Sequence, residues 1–224
     1  MRLKKRMHSN LLDVGMNKRK IILIDDLVFQ TAEENGIKIE QGGNHADLRQ
    51  KCALTLSKIG FDGVALGGFG IGEAQSDMYR IIKAVKKVLP SDNPTYVMGI
   101  GSPLEILGAI ANGADCFDSA YPTRMARHGK IFTSCGAIQI DKAVNKKAFT
   151  PLDKNCDCFV CKEYSRAYLH HLYKTYEQNA HILLSYHNIY FIQNLIKNIR
   201  VAIKENEFGK FKKKFELEYT GKKR

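Results

Sequence analysis

The sequence predicts an α/β fold of parallel βα units followed by a small metal-binding subdomain. Three observations carry that prediction. Between residues 37 and 135, short apolar runs alternate with amphipathic stretches of helical length, as in parallel strands joined by crossover helices. Beyond them, three of the six cysteines crowd into Cys156, Cys158 and Cys161. Finally, 44% of the 224 residues are hydrophobic, enough to bury a core, and the length suits one domain with an appendage or two small domains.

In chain order, residues 37–40 read as a strand and residues 44–59 as a helix with Leu48, Cys52, Leu56 and Ile59 on one stripe. Residues 61–66 form the next strand and residues 73–89 the next helix. A third strand over 95–98 leads to a helix over 103–112, and a fourth strand covers 114–118. After Arg127 the chain reads as loop-rich up to the cysteines. Two helices, over about 162–179 and 188–205, then precede a basic tail. Residues 21–24 suit a strand, but nothing fixes its role. The expected division is an unassigned basic segment (1–35), the βα region (36–135), a metal-binding subdomain with closing helices (136–205) and the basic tail (206–224).

The formal charge of +12 sits at the ends: residues 1–20 carry +6 and residues 204–224 carry +4, leaving +2 between them. Basic ends on a near-neutral body point to a polyanionic partner, nucleic acid before a membrane surface, or serve only for solubility. No apolar run approaches the ~18 residues that would span a membrane. Met1–Arg6 is basic but no apolar stretch follows it, so no secretory signal is expected and the cytoplasm is the expected compartment.

Cys156, Cys158 and Cys161 are spaced C-x-C-x-x-C, and His187 follows 26 residues later. Without a secretory signal, such crowding reads as metal ligands rather than disulfides. Thiolates and a neutral imidazole are preferred zinc ligands, and four of them close a tetrahedral structural site, so one structural zinc is expected. His170 and His171 compete for the fourth place but fall within a helix, whereas His187 follows an apolar, strand-like run. The alternative is three unrelated core thiols.

Two glycine-rich junctions follow strands: Leu66-Gly67-Gly68-Phe69-Gly70-Ile71-Gly72-Glu73 and Gly99-Ile100-Gly101-Ser102-Pro103. Glycine lets backbone approach a planar or phosphorylated ligand, although a tight βα turn needs the same residues. Neither is a dinucleotide fingerprint, since the ribose-binding acid ~20 residues on lacks its context. Asp118 ends the fourth strand. Asp115 faces the other side of a regular strand, so the two do not pair. Taken alone, Asp118 is as well explained as a cap or turn residue. Position weighs against that: Gln41, Gly67, Gly68, Met98, Gly99 and Asp118 all fall at the C-terminal ends of successive strands. In a (β/α) barrel, active sites are built on that face. Arg124, Arg127, His128 and Lys130 come next and suit a phosphate backbone. Tyr164, Tyr168, His171 and Tyr176 recur at helical intervals, as an interface or core would.

Together these stretches resemble the tRNA-guanine transglycosylases, bacterial and eukaryotic branch. Gln41-Gly42-Gly43, Gly60-Phe61-Asp62-Gly63 and Gly67 to Glu73 are similar to the family's base-binding half. Tyr96-Val97-Met98-Gly99-Ile100-Gly101 and Phe117-Asp118-Ser119-Ala120-Tyr121-Pro122-Thr123-Arg124 resemble its next motifs, and Pro151 to Asn188 its zinc subdomain. The resemblance covers about residues 36–215. It implies exchange of guanine at a tRNA anticodon wobble position for a 7-deazaguanine, queuine or its precursor. Asp118 then corresponds to the nucleophile that binds ribose covalently, as in a retaining glycosidase. Gln41, Gly67, Gly68 and Met98 match base-binding positions, Arg124 and Arg127 match residues gripping the anticodon loop, and Cys156, Cys158, Cys161 and His187 match the zinc ligands. A homodimer or heterodimer through the helix after the cysteines is implied as well.

The family's early motif D-S-G-G-F-Q has no clear counterpart; Ile24 to Gln30, with Asp25, echoes it without the paired glycines. A full barrel takes ~250 residues, so the expected fold is a partial (β/α)8 barrel, about its last four βα units, with a C-terminal zinc-binding subdomain. Three readings follow: a transglycosylase subunit completed by a separately encoded N-terminal half; a truncated, non-catalytic, zinc-containing tRNA-binding or dimerisation subunit; or the inactive product of a decayed gene.

Overall fold

Five parallel strands carry the first part of the chain, in a computed structural model that describes residues 22–23, 37–40, 43–59, 63–69 and 74–221. Strands β1 (Ile22–Leu23), β2 (Ile37–Glu40), β3 (Gly63–Leu66), β4 (Thr95–Val97) and β5 (Cys116–Phe117) form one sheet in the order β1-β5-β4-β3-β2. Every neighbouring pair is parallel. Helices α1 (Ala46–Ile59), α2 (Gln75–Lys86) and α3 (Pro103–Ala111) fall between successive strands from β2 onward. The α/β class and the parallel sheet thus match the alternation in the sequence. Strands β3, β4 and β5 are buried at every position, which is why they read as continuous apolar runs.

Helix α2 buries Met78, Ile81, Ile82 and Val85, one face of a helix. Helix α1 departs from expectation. Leu48 is 51% exposed, and Arg49 and Ala53 are the buried residues instead. A guanidinium can take this place because it finds carbonyl partners, described below, that offset its desolvation. On α3, a Cβ at Gly108 would run into the Tyr79 ring, so glycine permits that close approach. Asp115 is committed to the framework: Oδ2 accepts from Lys86 Nζ (3.1 Å) and from the Thr95 amide (2.9 Å). Lys86 Nζ also donates to the Asn93 carbonyl at 2.8 Å.

Contacts divide the chain between Ser119 and Ala120, with Gly101–Leu104 going to the second unit. That unit begins with α4 (Tyr121–Arg127) and an antiparallel hairpin, β6 (Lys130–Thr133) and β7 (Gly136–Gln139). A short 3-10 turn (Ala143–Asn145) follows, then α5 (Phe159–Glu163), α6 (Arg166–Lys174), α7 (Gln178–Lys204) and α8 (Phe208–Thr220). Its core gathers Ala126, Ile131, Ile140, Leu152, Val160, Leu169 and Leu184 around Cys158 and Cys161.

Several expectations are corrected here. The stretch read as loops contains the hairpin, whose two-residue turn lacks the Asn-Gly or Asp-Gly signal. The helix expected over 162–179 is broken: Ser165 caps α6, accepting from the Tyr168 amide, and Tyr176 has φ of 59° just past its end. The run before His187 is helical, placing His187 inside α7; short apolar runs do not distinguish strand from buried helix. Within the stretch read as a basic tail, Phe208–Thr220 form α8, along which Lys210, Lys212 and Lys214 pair with Glu207, Glu216 and Glu218. Phe211, Phe215 and Tyr219 stack along it, with centroids 6.2 and 5.2 Å apart. Among the described residues, no helix is long and apolar enough to cross a membrane.

Asp115→Ala leaves Lys86 and the Thr95 amide without their partner. It should cost about 3 kcal/mol of stability, measured as a lower midpoint in urea unfolding.

Candidate functional site

The register of the sheet sets the first constellation. Leu66 lies opposite Val97, and Val97 opposite Phe117, so the residues that follow these three strands emerge at one level. They include Gly67 and Gly68 after β3, Met98 and Gly99 after β4, and Asp118 after β5. Gln41 follows β2 in the chain but lies outside the described residues, as does Asp25.

Among the described residues, Asp118 is held on one side only. Its Oδ1 accepts from the Tyr96 hydroxyl at 2.7 Å and from the Gly99 amide at 3.2 Å. Tyr96 lies opposite Cys116, and its ring reaches diagonally to the next residue on that face of the chain. Burial, reinforced by the Asp118 carboxylate, pushes the Tyr96 phenol far above its ordinary range, so it stays a donor. Gly99 has φ of +77°, a conformation that favours glycine and points its amide at the carboxylate. The Ser119 hydroxyl donates to the Gly99 carbonyl at 3.2 Å, tying the same turn down. Met98 packs on Ala65, Tyr96 and Cys116.

The glycine junction after β3 is secured by Arg49. Its guanidinium donates to the carbonyls of Gly43 and Gly67, the latter at 3.0 Å, and lies 4.8 Å from the centroid of the buried Phe69 ring. Gly67 is buried, whereas Gly68 is exposed with φ of +77°. Sequence reasoning gave neither Tyr96 nor Arg49 a role. For Tyr96 a signal existed, since period two puts it on the same face as Met98. For Arg49 there was none: a lone arginine on a helix reads as surface.

The second constellation is in the other unit. The sulfurs of Cys156, Cys158 and Cys161 lie 3.9, 3.5 and 3.4 Å from His187 Nδ1. All four donor atoms fall within 4.8 Å of one another, a group that could hold one metal ion. Cys158 caps α5, its sulfur accepting from the Cys161 amide, so the C-x-x-C turn is the first turn of a helix. His187 is fully buried and presents Nε2 to the Phe132 carbonyl at 2.8 Å. A carbonyl only accepts, so Nε2 carries the hydrogen and Nδ1 is left for the cluster. His170 Nδ1 is instead 2.7 Å from the Ile140 carbonyl, and His171 is exposed.

Neighbouring contacts brace this cluster. Asn188 accepts from the Phe132 amide (3.0 Å) and donates to the carbonyls of Pro122 and Lys130. Asp153 accepts from the Ser134 amide (2.6 Å) and hydroxyl (2.9 Å), joining the hairpin turn to the start of the cysteine loop. Protons are distributed unevenly within the cluster. Hydrogen bonds with Cys156 and Cys161 hold the Cys158 thiol far below its ordinary range, and those with Cys158 and Cys161 push Cys156 far up. Burial opposes a charge on His187, yet Cys158, Cys161 and the Phe132 carbonyl together raise its pKa to about 10.

Arg124 and Arg127 are both exposed on α4. The Arg124 guanidinium lies 5.8 Å from the Tyr121 ring centroid, and the Arg127 carbonyl accepts from the Tyr173 hydroxyl at 3.2 Å. The expected stripe on the post-cysteine helix is not one face: Tyr176 lies beyond the end of α6. Tyr164 and Tyr168 stack at 5.5 Å and continue into Phe159 and Tyr186 at 5.7 and 6.3 Å.

A carboxylate clamped at the C-terminal edge of a parallel sheet, in a chain that also folds around a Cys3His group, defines an α/β protein with a subdomain whose buried donor set could hold a metal ion. Residues 19–221 match the profile of the family described as Queuine tRNA-ribosyltransferase, and the chain belongs to that family. It is 47% identical over 186 residues to the queuine tRNA-ribosyltransferase of Fusobacterium nucleatum, covering 82% of this chain and 50% of that protein. Proteins of the same name from Caldanaerobacter subterraneus and Francisella tularensis subsp. novicida are each 44% identical, over 183 and 181 residues, with 49% of their length covered. The chain thus spans about half the length of the curated relatives it matches.

Metal analysis should find about one ion per chain, and Cys161→Ser should remove most of it. Because binding must displace protons held by Cys156 and His187, apparent metal affinity should fall as the pH is lowered. Chelator competition at pH 8 and pH 6 measures this: the ion is stripped more readily at pH 6.

Proposed function

We propose that this chain carries the C-terminal half of a tRNA-guanine transglycosylase. It exchanges guanine at an anticodon wobble position for a 7-deazaguanine, queuine or its precursor, through a covalent Asp118–ribose intermediate. The observation that carries this reading is the one-sided hold on the Asp118 carboxylate at the end of β5, in a chain belonging to this family. In the first half-reaction a carboxylate oxygen forms a bond to the anomeric carbon. The bond to guanine breaks with its electron pair on the departing base, which takes up a proton. In the second half, the incoming base loses a ring N–H proton, attacks the same carbon and returns the pair to Asp118. The proton count balances over the two halves.

The remaining residues take supporting roles. Gln41, Gly67, Gly68 and Met98 bind the base: the glycines let backbone donors and acceptors come close, and Met98 offers an apolar surface to a planar ring. Arg124 and Arg127 take anticodon-loop phosphates. Cys156, Cys158, Cys161 and His187 hold one structural zinc. Tetrahedral zinc with thiolate and imidazole bonds of ~2.3 and ~2.0 Å sets sulfur and nitrogen roughly 3.6 Å apart, and the observed separations of 3.4 to 3.9 Å fit that donor set. When bound, the ion cross-links the cysteine loop to α7 and performs no chemistry on substrate. Residues 36–135 then make up the C-terminal half of a (β/α)8 barrel, in the cytoplasm.

A homodimer or heterodimer uses the linked rings of Phe159, Tyr164, Tyr168 and Tyr186. Phe159, Tyr168 and Tyr186 are 50, 46 and 48% exposed, a contiguous aromatic surface of the kind that marks association sites. The second reading, a non-catalytic tRNA-binding or dimerisation subunit, draws on the exposed Arg124 and Arg127 and on this exposed aromatic surface.

Labelled guanine incorporation into tRNA separates the two readings. Exchange by the chain, reduced below about a thousandth in Asp118→Asn, supports the transglycosylase. Salt-sensitive tRNA binding without exchange supports the binding subunit. Truncating both Tyr168 and Tyr186 to alanine should weaken self-association by roughly 2 kcal/mol or more, read by sedimentation equilibrium.

A further inference from the structure

We propose that Tyr96 and the Gly99 amide form a two-donor clamp that makes Oδ1 of Asp118 the spectator oxygen. Oδ2 is then the oxygen that attacks ribose, and Asp118 is tuned as a leaving group for the second half-reaction. The inference rests on the transglycosylase reading and extends it to a positioning residue. Both donors converge on Oδ1, at 2.7 and 3.2 Å. Among the described residues nothing donates to Oδ2. A carboxylate held in this way has one oxygen fixed in direction and one left for bond formation.

The consequence for the two half-reactions is asymmetric. In the free enzyme the clamp donates to a charged carboxylate; in the covalent intermediate it donates to the carbonyl of a neutral ester. A hydrogen bond to a charged group is the stronger of the two. The clamp therefore stabilises the carboxylate more than the ester and favours return of the electron pair to Oδ2 when the incoming base attacks. Without the Tyr96 hydroxyl, the balance moves toward the covalent intermediate. Three properties of Tyr96 fit it to this role. The residue is 4% exposed, it sits on β4 opposite Cys116, and its hydroxyl remains protonated over the working pH range.

The test uses Tyr96→Phe, which keeps the ring and its packing, in the full chain incubated with tRNA and no incoming base. The ratio of denaturation-stable tRNA adduct to free chain should rise about five- to tenfold over wild type. The KM for tRNA should stay unchanged, while kcat falls. An unchanged or lower ratio overturns the proposal. So does a matched fall in kcat and rise in KM with loss of metal content, which marks a merely structural role. A second measurement needs no tRNA. With tyrosines labelled at Cζ, Asp118→Asn should let the Tyr96 signal begin to titrate at lower pH than in wild type; an unmoved signal removes the clamp. If Asp118→Asn moves Tyr96 but the wild-type chain forms no adduct, the transglycosylase reading and the assignment of Oδ2 both fall, leaving only a structural hydrogen bond.

Discussion

The parallel ladder is the constraint on which the candidate site depends. Because neighbouring strands pair in parallel, all their C-terminal ends face one way. Because Leu66, Val97 and Phe117 share a level, the short segments after them meet. No single segment could assemble this constellation: the Asp118 carboxylate on one strand end needs the Tyr96 hydroxyl from the neighbouring strand and the Gly99 amide from the turn beyond it. The strands are only two to four residues long, so the sheet relies on burial. Asp115, Lys86 and the Thr95 amide supply a polar tie inside it. That tie explains why two aspartates three residues apart have separate fates. Asp115 turns to the framework and Asp118 to the open end.

The second unit is organised around a different kind of constraint. Hairpin, cysteine loop and long helix each contribute to the cluster, and none of these pieces is large enough to define its own core. His187 and Asn188 are consecutive on α7, and both reach β6, one through an imidazole N–H and the other through an amide. A helix thereby fixes a strand edge and a ligand at once. A metal held by this group would couple its binding to folding, since the four donor atoms converge only when α7 is seated on the hairpin. Aromatic rings outside this core remain exposed in a connected row from Tyr168 through Tyr164 and Phe159 to Tyr186.

The legibility of these features follows their range along the chain. The alternation of βα units was readable because each element buries its own local pattern, as with Met78, Ile81, Ile82 and Val85 on α2. The metal group was readable because thiol spacing is chemistry written in sequence. Elements were misjudged where a tertiary partner overrode a local pattern. Arg49 replaces Leu48 on the buried face because carbonyls of Gly43 and Gly67 await it. The hairpin carries weak local signals and is held by Asn188, 56 residues away. The lysine-rich end forms a helix because its glutamates fall one turn away and its aromatics stack at i, i+4.

By itself, then, the sequence determined the α/β class, the strand ends that carry glycines and Asp118, and the spacing of the three cysteines. All of these are encoded in composition, periodicity or spacing. Tertiary structure decided the rest: which oxygen of Asp118 is held, that Asp115 is spent on the framework, and that His187 rather than His170 joins the cysteines. The reason is physical. Each of these outcomes turns on a hydrogen bond between groups that lie far apart along the chain, from 19 residues for Gly99 and Asp118 to 55 for His187 and Phe132. Only the folded chain brings such groups within about 3 Å of each other.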